Sequence, residues 1–179
     1  LRSLVGSEMC IRDRPILSHS PLKHPRDKWF VDADRNFIII DFDGNANVGY
    51  EFAITLGDTL RDAIWTNENE FSESWDAIWY SSGSITDNGY EVEMAIPFST
   101  FRSASADDLQ WRINFFRFIP RKEGIRIDSW VPIDRDNTCN PCQFGYLKGI
   151  KDVDIKSPIE LLPSIVGSRE DSFSNSLGF

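Results

Sequence analysis

With 179 residues, 41% hydrophobic and 13% aromatic, the chain has enough apolar side-chain mass for one domain with its own core, which excludes wholesale disorder. Its formal charge of −9 and isoelectric point near 4.7 argue against nucleic acid and anionic membrane surfaces, which call for clustered Lys and Arg; a neutral or cationic ligand, or a divalent cation, suits that balance better. No run of about 18 apolar residues is present, so no stretch of the sequence spans a bilayer as a helix.

Residues 1–14, LRSLVGSEMCIRDR, share no pattern with the remainder of the chain. Their string Glu8-Met9-Cys10-Ile11-Arg12-Asp13-Arg14 resembles the conceptual translation of a transposon end used in preparing sequencing libraries, and they are set apart as non-native sequence. Residues 15–31 hold both histidines, His19 and His24, and three prolines without periodicity, and read as a linker or an interrupted strand. The sheet begins at Asn36: β-branched residues dominate 37–42, and the turn 43–47 stops the run. Residues 48–55 form the partner strand, with Tyr50, Phe52 and Ile54 on one face. A turn at Leu56-Gly57-Asp58 leads to a strand over 59–65, and an acidic loop comes next. In 75–80 a period of two places Trp75, Ala77 and Trp79 on one face and Asp76, Ile78 and Tyr80 on the other.

Asn88-Gly89 predicts a tight turn between antiparallel strands, because both residues tolerate positive φ. In the next strand Tyr90, Val92, Met94 and Ile96 point inward while Glu91 and Glu93 face water, and Pro97 ends the ladder. A single helical turn is expected over 96–101. Residues 110–119 are apolar at most positions on both sides, which predicts a central strand covered on both faces. Weaker strands over 125–133 and 143–150 flank an irregular loop at 134–142. Seven to nine short strands with scarcely any helical periodicity predict an all-β fold, an antiparallel β-sandwich.

Asp41-x-Asp43-x-Asn45-x-Asn47 sets four oxygen-bearing side chains at alternating positions through a turn, an array that hard cations favour, with Asp32 and Asp34 close by as further ligands. Ordinary turn residues making side-chain to backbone bonds give the same pattern. With Cys10 set apart, Cys139 and Cys142 form one C-x-x-C pair, half of what a tetrahedral zinc site requires. A local disulfide fits an exported protein, and two free thiols fit a reducing compartment. No nucleophile–base pair and no phosphate-cradling Gly-rich loop is found and no catalytic residue is singled out, although a glycosidase needs only two of the many carboxylates at a suitable separation, which the sequence does not fix.

Taken together, WDAIWY, NGYEVEMAIPFSTFR, WRINFFRFIPRKEG, SWVPI and FGYLKGI resemble the carbohydrate-binding module family 9-like domain, as found at the N-terminus of a bacterial envelope protein family. The most specific pieces are Trp75-Asp76-x-x-Trp79, Glu93-x-x-Ile96-Pro97-Phe98 and Phe144-Gly145-x-Leu147-x-Gly149-Ile150; the family's opening strands are missing ahead of Phe37. The resemblance implies a jelly-roll-like sandwich over 32–157 that binds polysaccharide or oligosaccharide without cleaving it, often with structural Ca2+. It also implies export to the periplasm, outer membrane or exterior, and a β-rich region starting at 158–179. Sugars stack their C–H faces on aromatic rings while carboxylates and amides take the hydroxyls, so Trp75, Trp79 and Trp130 with Asp76, Arg126 and Asp128 are the predicted binding residues. Trp79 and Trp111 are expected in the core and Trp130 exposed. Two other readings stand beside this one: an interaction domain packed on the downstream β-region, and a fragment of a glycoside hydrolase whose parent acts on O-glycosyl compounds.

Overall fold

The computed structural model describes residues 3–4, 25–27, 33–55, 57–66, 70–87, 89–100 and 109–150. They form ten strands: β1 (Ser3–Leu4), β2 (Arg35–Asp41), β3 (Val48–Thr55), β4 (Leu60–Thr66), β5 (Phe71–Ser72), β6 (Tyr80–Thr86), β7 (Gly89–Pro97), β8 (Leu109–Arg121), β9 (Gly124–Ser129) and β10 (Gly145–Ile150). One sheet has the order β1-β7-β6, the other β10-β8-β2-β3-β4-β5, with β9 also paired to β8 and every pairing antiparallel. The fold is thus the expected all-β sandwich. Apart from β1 and residues 25–27, the sequence expectations for 1–31, and all those for 151–179, lie outside the described residues.

Between the sheets Ile38, Ile40, Phe52, Ile54 and Trp111 meet Tyr90, Val92 and Ile96. Each contributes roughly 1.5–3 kcal/mol of transfer free energy relative to exposure. The 13-residue β8 is the central strand its sequence predicts. It pairs with β2 along one edge, while β10 and β9 share the other end to end, because β2 overlaps each of them in register. The predicted helical turn appears as a 3-10 turn at Phe98–Thr100.

Residues 75–79 depart from the sequence expectation: they are not hydrogen-bonded as a strand, and β6 begins only at Tyr80. The Ala77 N–H donates to the Asp62 carboxylate, and the Ala77 carbonyl accepts from Arg26 at 2.7 Å, so side chains take the bonds that a neighbouring strand would have taken. The hairpin register also differs. Thr86 pairs with Gly89, which puts Gly89 inside the ladder.

A buried polar network ties the two sheets together. Arg117 holds Asp34 with two bonds of 2.9 and 2.6 Å, the Tyr90 hydroxyl donates to the same carboxylate at 2.7 Å, and Asn36 donates to that hydroxyl at 2.8 Å. Burial, then the nearby Asp34 charge, push the Tyr90 phenol above its usual range. Burial works to lower the Arg117 pKa, but the bond to Asp34 and the attraction around it outweigh that and raise it.

Candidate functional site

The outer face of the larger sheet, turned away from the inter-sheet core, carries a cavity of about 310 Å³. Register explains which side chains reach it. In a strand alternate residues share a face, so Arg35, Phe37 and Ile39 of β2 line up with Glu51 of β3, Arg61 and Trp65 of β4, and Phe116 and Phe118 of β8. Ala53 and Ala63 lie in the same rows, and their small side chains leave room above the sheet. Phe37 stacks on Phe116 at 4.8 Å and meets Phe118 edge-on at 4.8 Å, which makes one aromatic wall.

Glu51 is the polar centre of this face. Its register partner is Ala63, so Arg61 and Trp65 are its two diagonal neighbours on β4. Arg61 donates to one carboxylate oxygen, and the Trp65 indole N–H donates to the other at 2.7 Å. Burial raises the Glu51 pKa, with Arg61 and then Trp65 offsetting part of the effect. Arg35 lies over the Phe118 ring at 4.5 Å. Its pKa is lowered to about 10, first by burial and second by repulsion from Arg61, against the pull of Glu51, so it is still charged at neutral pH.

The segment after β9 roofs the cavity with Ile133, Arg135, Asn140, Pro141 and Phe144. Its ties are specific. The buried Asn114 side chain takes the Val131 N–H at 2.9 Å and donates to the Val131 carbonyl at 3.0 Å. Gln143 accepts from the Asp134 N–H at 2.7 Å, and Arg112 donates to the Cys142 carbonyl at 2.9 Å. Cys139 and Cys142 are joined in a disulfide that brackets the lining residues Asn140 and Pro141.

The predicted saccharide residues fall into two separate groups. Trp79 is only 3% exposed and belongs to the inter-sheet core, so it cannot meet a sugar. Trp75 is half-buried and packs edge-on against Tyr50 and Phe52. Asp76 is exposed near Arg26, 3.9 Å away. Trp130, Arg126 and Asp128 instead sit at alternating positions from β9 onward. Arg126 and Asp128 form a 2.8 Å ion pair, and Trp130 is 62% exposed with its ring edge-on to Phe115. Phe52 and Phe115 flank Ile38 in register, so the anchors of the two groups lie two strand spacings apart, about 10 Å. The structure assembles no single six-residue platform from them.

In the Asp41–Asn47 array, the oxygens of Asp41 and Asn45 are engaged by the backbone of the turn. Asp41 is buried, and its carboxylate accepts the N–H groups of Asp43 at 3.1 Å, Gly44 at 2.9 Å and Ala46 at 2.7 Å, while Asn45 accepts that of Asn47 at 2.9 Å. These bonds are the side-chain to backbone pattern by which Asx residues close a turn. Asp34 is held by Arg117 and Tyr90, and Asp32 lies outside the described residues. A different trio, Asp27, Asp62 and Asp76, comes within 4.8 Å, but the Arg26 guanidinium already stands among these carboxylates, bonded to Asp62. Burial raises the Asp62 pKa, offset by the Ala77 N–H and Arg26.

Sequence reasoning missed the cavity residues. The alternation Tyr50, Phe52, Ile54 marks one buried face of β3 and leaves Glu51 as apparent surface. The available signal was Arg61-x-x-x-Trp65 on the paired strand, two donors at the spacing that brackets a carboxylate opposite the residue between them.

No family model matches the chain, and no curated protein matches it. Solved structures do resemble it. A "putative carbohydrate-binding protein from Bacteroides uniformis" superposes with a TM-score of 0.51 at 19% identity over 66% of this chain and 61% of that one. A carbohydrate-binding module of family 9 from Caldicellulosiruptor kristjanssonii, in complex with glucose, gives a TM-score of 0.44 at 15% identity over 70% of this chain and 63% of that one. The likeness is one of fold. The chain spans about three fifths of the length of these structures.

Proposed function

We propose that this β-sandwich is a non-catalytic saccharide-binding module of a longer exported protein, and that the sugar lies in the cavity on the outer face of the larger sheet. The observation that carries the reading is the cavity itself. Its volume of about 310 Å³ lies at the lower end of the range for small-molecule sites, and it joins aromatic walls to a few fixed polar groups, Arg35, Glu51 and Arg61. A pyranose has the matching chemistry, with C–H faces for the rings and hydroxyls for the charged groups. The Bacteroides uniformis protein that shares the fold is named for the same ligand class. The Cys139–Cys142 disulfide supports an oxidising compartment. Among the described residues, no helix is long and apolar enough to cross a membrane.

A second surface is favoured by one observation, the 62% exposure of Trp130 beside the Arg126–Asp128 pair, which offers an open platform. Titration of glucan, xylan and mannan fragments against intrinsic tryptophan fluorescence separates the two. Binding in the cavity perturbs Trp65, so Trp65→Phe removes the signal change and Trp130→Ala retains it. The opposite pattern moves the sugar to the Trp130 platform. No fluorescence or calorimetric response to any saccharide, acidic ones included, would refute saccharide binding altogether.

A further inference from the structure

A strand at the rim of a sheet leaves a row of N–H and C=O groups unpaired, and natural sheets blunt such rims with charge, proline or brevity. Among the described residues, the rims of this sandwich follow that rule with one exception. β1 and β5 are two residues long, β9 carries Arg126 and Asp128, and β10 carries Lys148. β6 is seven residues long, Tyr80-Ser81-Ser82-Gly83-Ser84-Ile85-Thr86, with no charge and no proline. Its pairing with β7 runs through all seven residues without a bulge, and its far side pairs with no described strand. The strand also stands clear of the core: Tyr80 and Ile85, which point to opposite faces, are 59% and 60% exposed, and Ile78 just ahead of them is 77% exposed.

We propose that β6 is the contact surface for a second copy of this chain, the two β6 strands pairing antiparallel about a two-fold axis at Gly83. The sequence of the strand selects this occupant. With Gly83 on the axis all seven residues pair: Ser82 faces Ser84, Ser81 faces Ile85, and Tyr80 faces Thr86, an aromatic against a β-branched residue, which is a favourable cross-strand pair. No charged residue meets its like along the strand. The acidic balance of the chain does not prevent the contact, because Glu91 and Glu93 lie on β7, one strand in, opposite Ser84 and Ser82. Across the axis they stand three strand spacings from their counterparts, about 14 Å, beyond a Debye length of about 8 Å at physiological salt. A two-fold contact uses the same edge of both copies and so closes at a dimer; the joined sheet then ends at the two-residue β1 on each side. A strand of seven residues is only about 24 Å long, so the surface buried falls below the roughly 1,200 Å² of stable complexes and the dimer is a weak one.

Sedimentation equilibrium of the full chain from about 10 µM to about 1 mM tests the pairing, with the average mass expected to climb from 20.5 kDa toward twice that value. Ser82→Lys combined with Ser84→Lys sets lysine against lysine across the axis, while each faces a glutamate of β7 in its own copy. The fold is kept, and the dimer dissociation constant is expected to rise about ten-fold or more. Ser82→Lys combined with Ser84→Glu sets lysine against glutamate and is expected to return the constant to within about three-fold of that of the unaltered chain, a rescue that requires the antiparallel register at Gly83. Both variants are checked for native circular dichroism. If they fail to fold, amide exchange at 80–86 in the unaltered chain decides, because the dimer requires slower exchange there at the concentrated end. A chain that stays monomeric up to about 1 mM, a dimer indifferent to the first variant, or a folded second variant without rescue would each overturn the inference. Saccharide binding in the cavity is independent of every one of these outcomes.

Discussion

Replacing Asp41 by alanine tests whether its carboxylate is a turn organiser or a metal ligand. The side chain accepts three backbone N–H groups within the turn that joins β2 to β3, from Asp43, Gly44 and Ala46. Each such bond contributes on the order of 1 kcal/mol net, and all three donors lose their partner at once, so Asp41→Ala is expected to cost about 3 kcal/mol. For a chain of this size that corresponds to a fall in melting temperature of about 6–12 °C. Asp41→Asn keeps one carbonyl oxygen for Asp43 and Gly44 but brings an amide toward the Ala46 N–H, and is expected to cost about half as much. Urea unfolding followed by tryptophan fluorescence measures both, in parallel with excess calcium and with chelator. The turn account requires the same loss in the two conditions and an unchanged wild-type melt on chelation. A loss below about 1 kcal/mol, or one that appears only with calcium present, would refute it.

Three further outcomes are expected from other parts of the structure. Gly44 has φ of +67°, and a Cβ there would come 2.3 Å from the Gln110 carbonyl oxygen, so Gly44→Ala is expected to lower the urea midpoint by the equivalent of about 2 kcal/mol or more; a wild-type midpoint would contradict the packing of this turn on β8. Tyr90 has a phenol pKa raised in the folded state above its ordinary value of 10.0, so its stabilisation is complete below about pH 10 and is lost as pH rises through and beyond that value; an absorbance titration showing every tyrosine ionising normally before unfolding would exclude the buried Asp34–Tyr90 bond. Reducing Cys139–Cys142 opens a loop of only four residues, which costs at most about 2 kcal/mol, and is expected to raise amide exchange at 139–143 and weaken ligand binding far more than it lowers the melt; unchanged exchange there would show that Gln143 and Arg112 hold the roof alone.

Much of the fold is legible in local pattern. The alternation Tyr90, Val92, Ile96 against Glu91 and Glu93 makes one face of β7 wet, and the double-sided apolar run of β8 can only be central. These are statements about the period of two, which the backbone imposes on any strand and which can therefore be read without partners. The same reading fails at 75–79, where the alternation of Trp75, Ala77 and Trp79 is genuine but the hydrogen-bond partners are Asp62 and Arg26, distant in sequence.

The candidate site lies at the other extreme. Glu51, Arg61 and Trp65 belong to two strands, and Arg35, Phe116 and Phe118 to two more, so only the pairing register of β8, β2, β3 and β4 brings them together. Period alone tells that a residue faces one side of its own strand; it carries no information on which side chains of other strands share that side, nor on the segment 130–144 that roofs it. Composition determined that this acidic, aromatic-rich chain would bury a β-sheet core. Tertiary structure alone decided that three of its arginines would line a single aromatic cavity, because charge adds over distance in space and not along the chain.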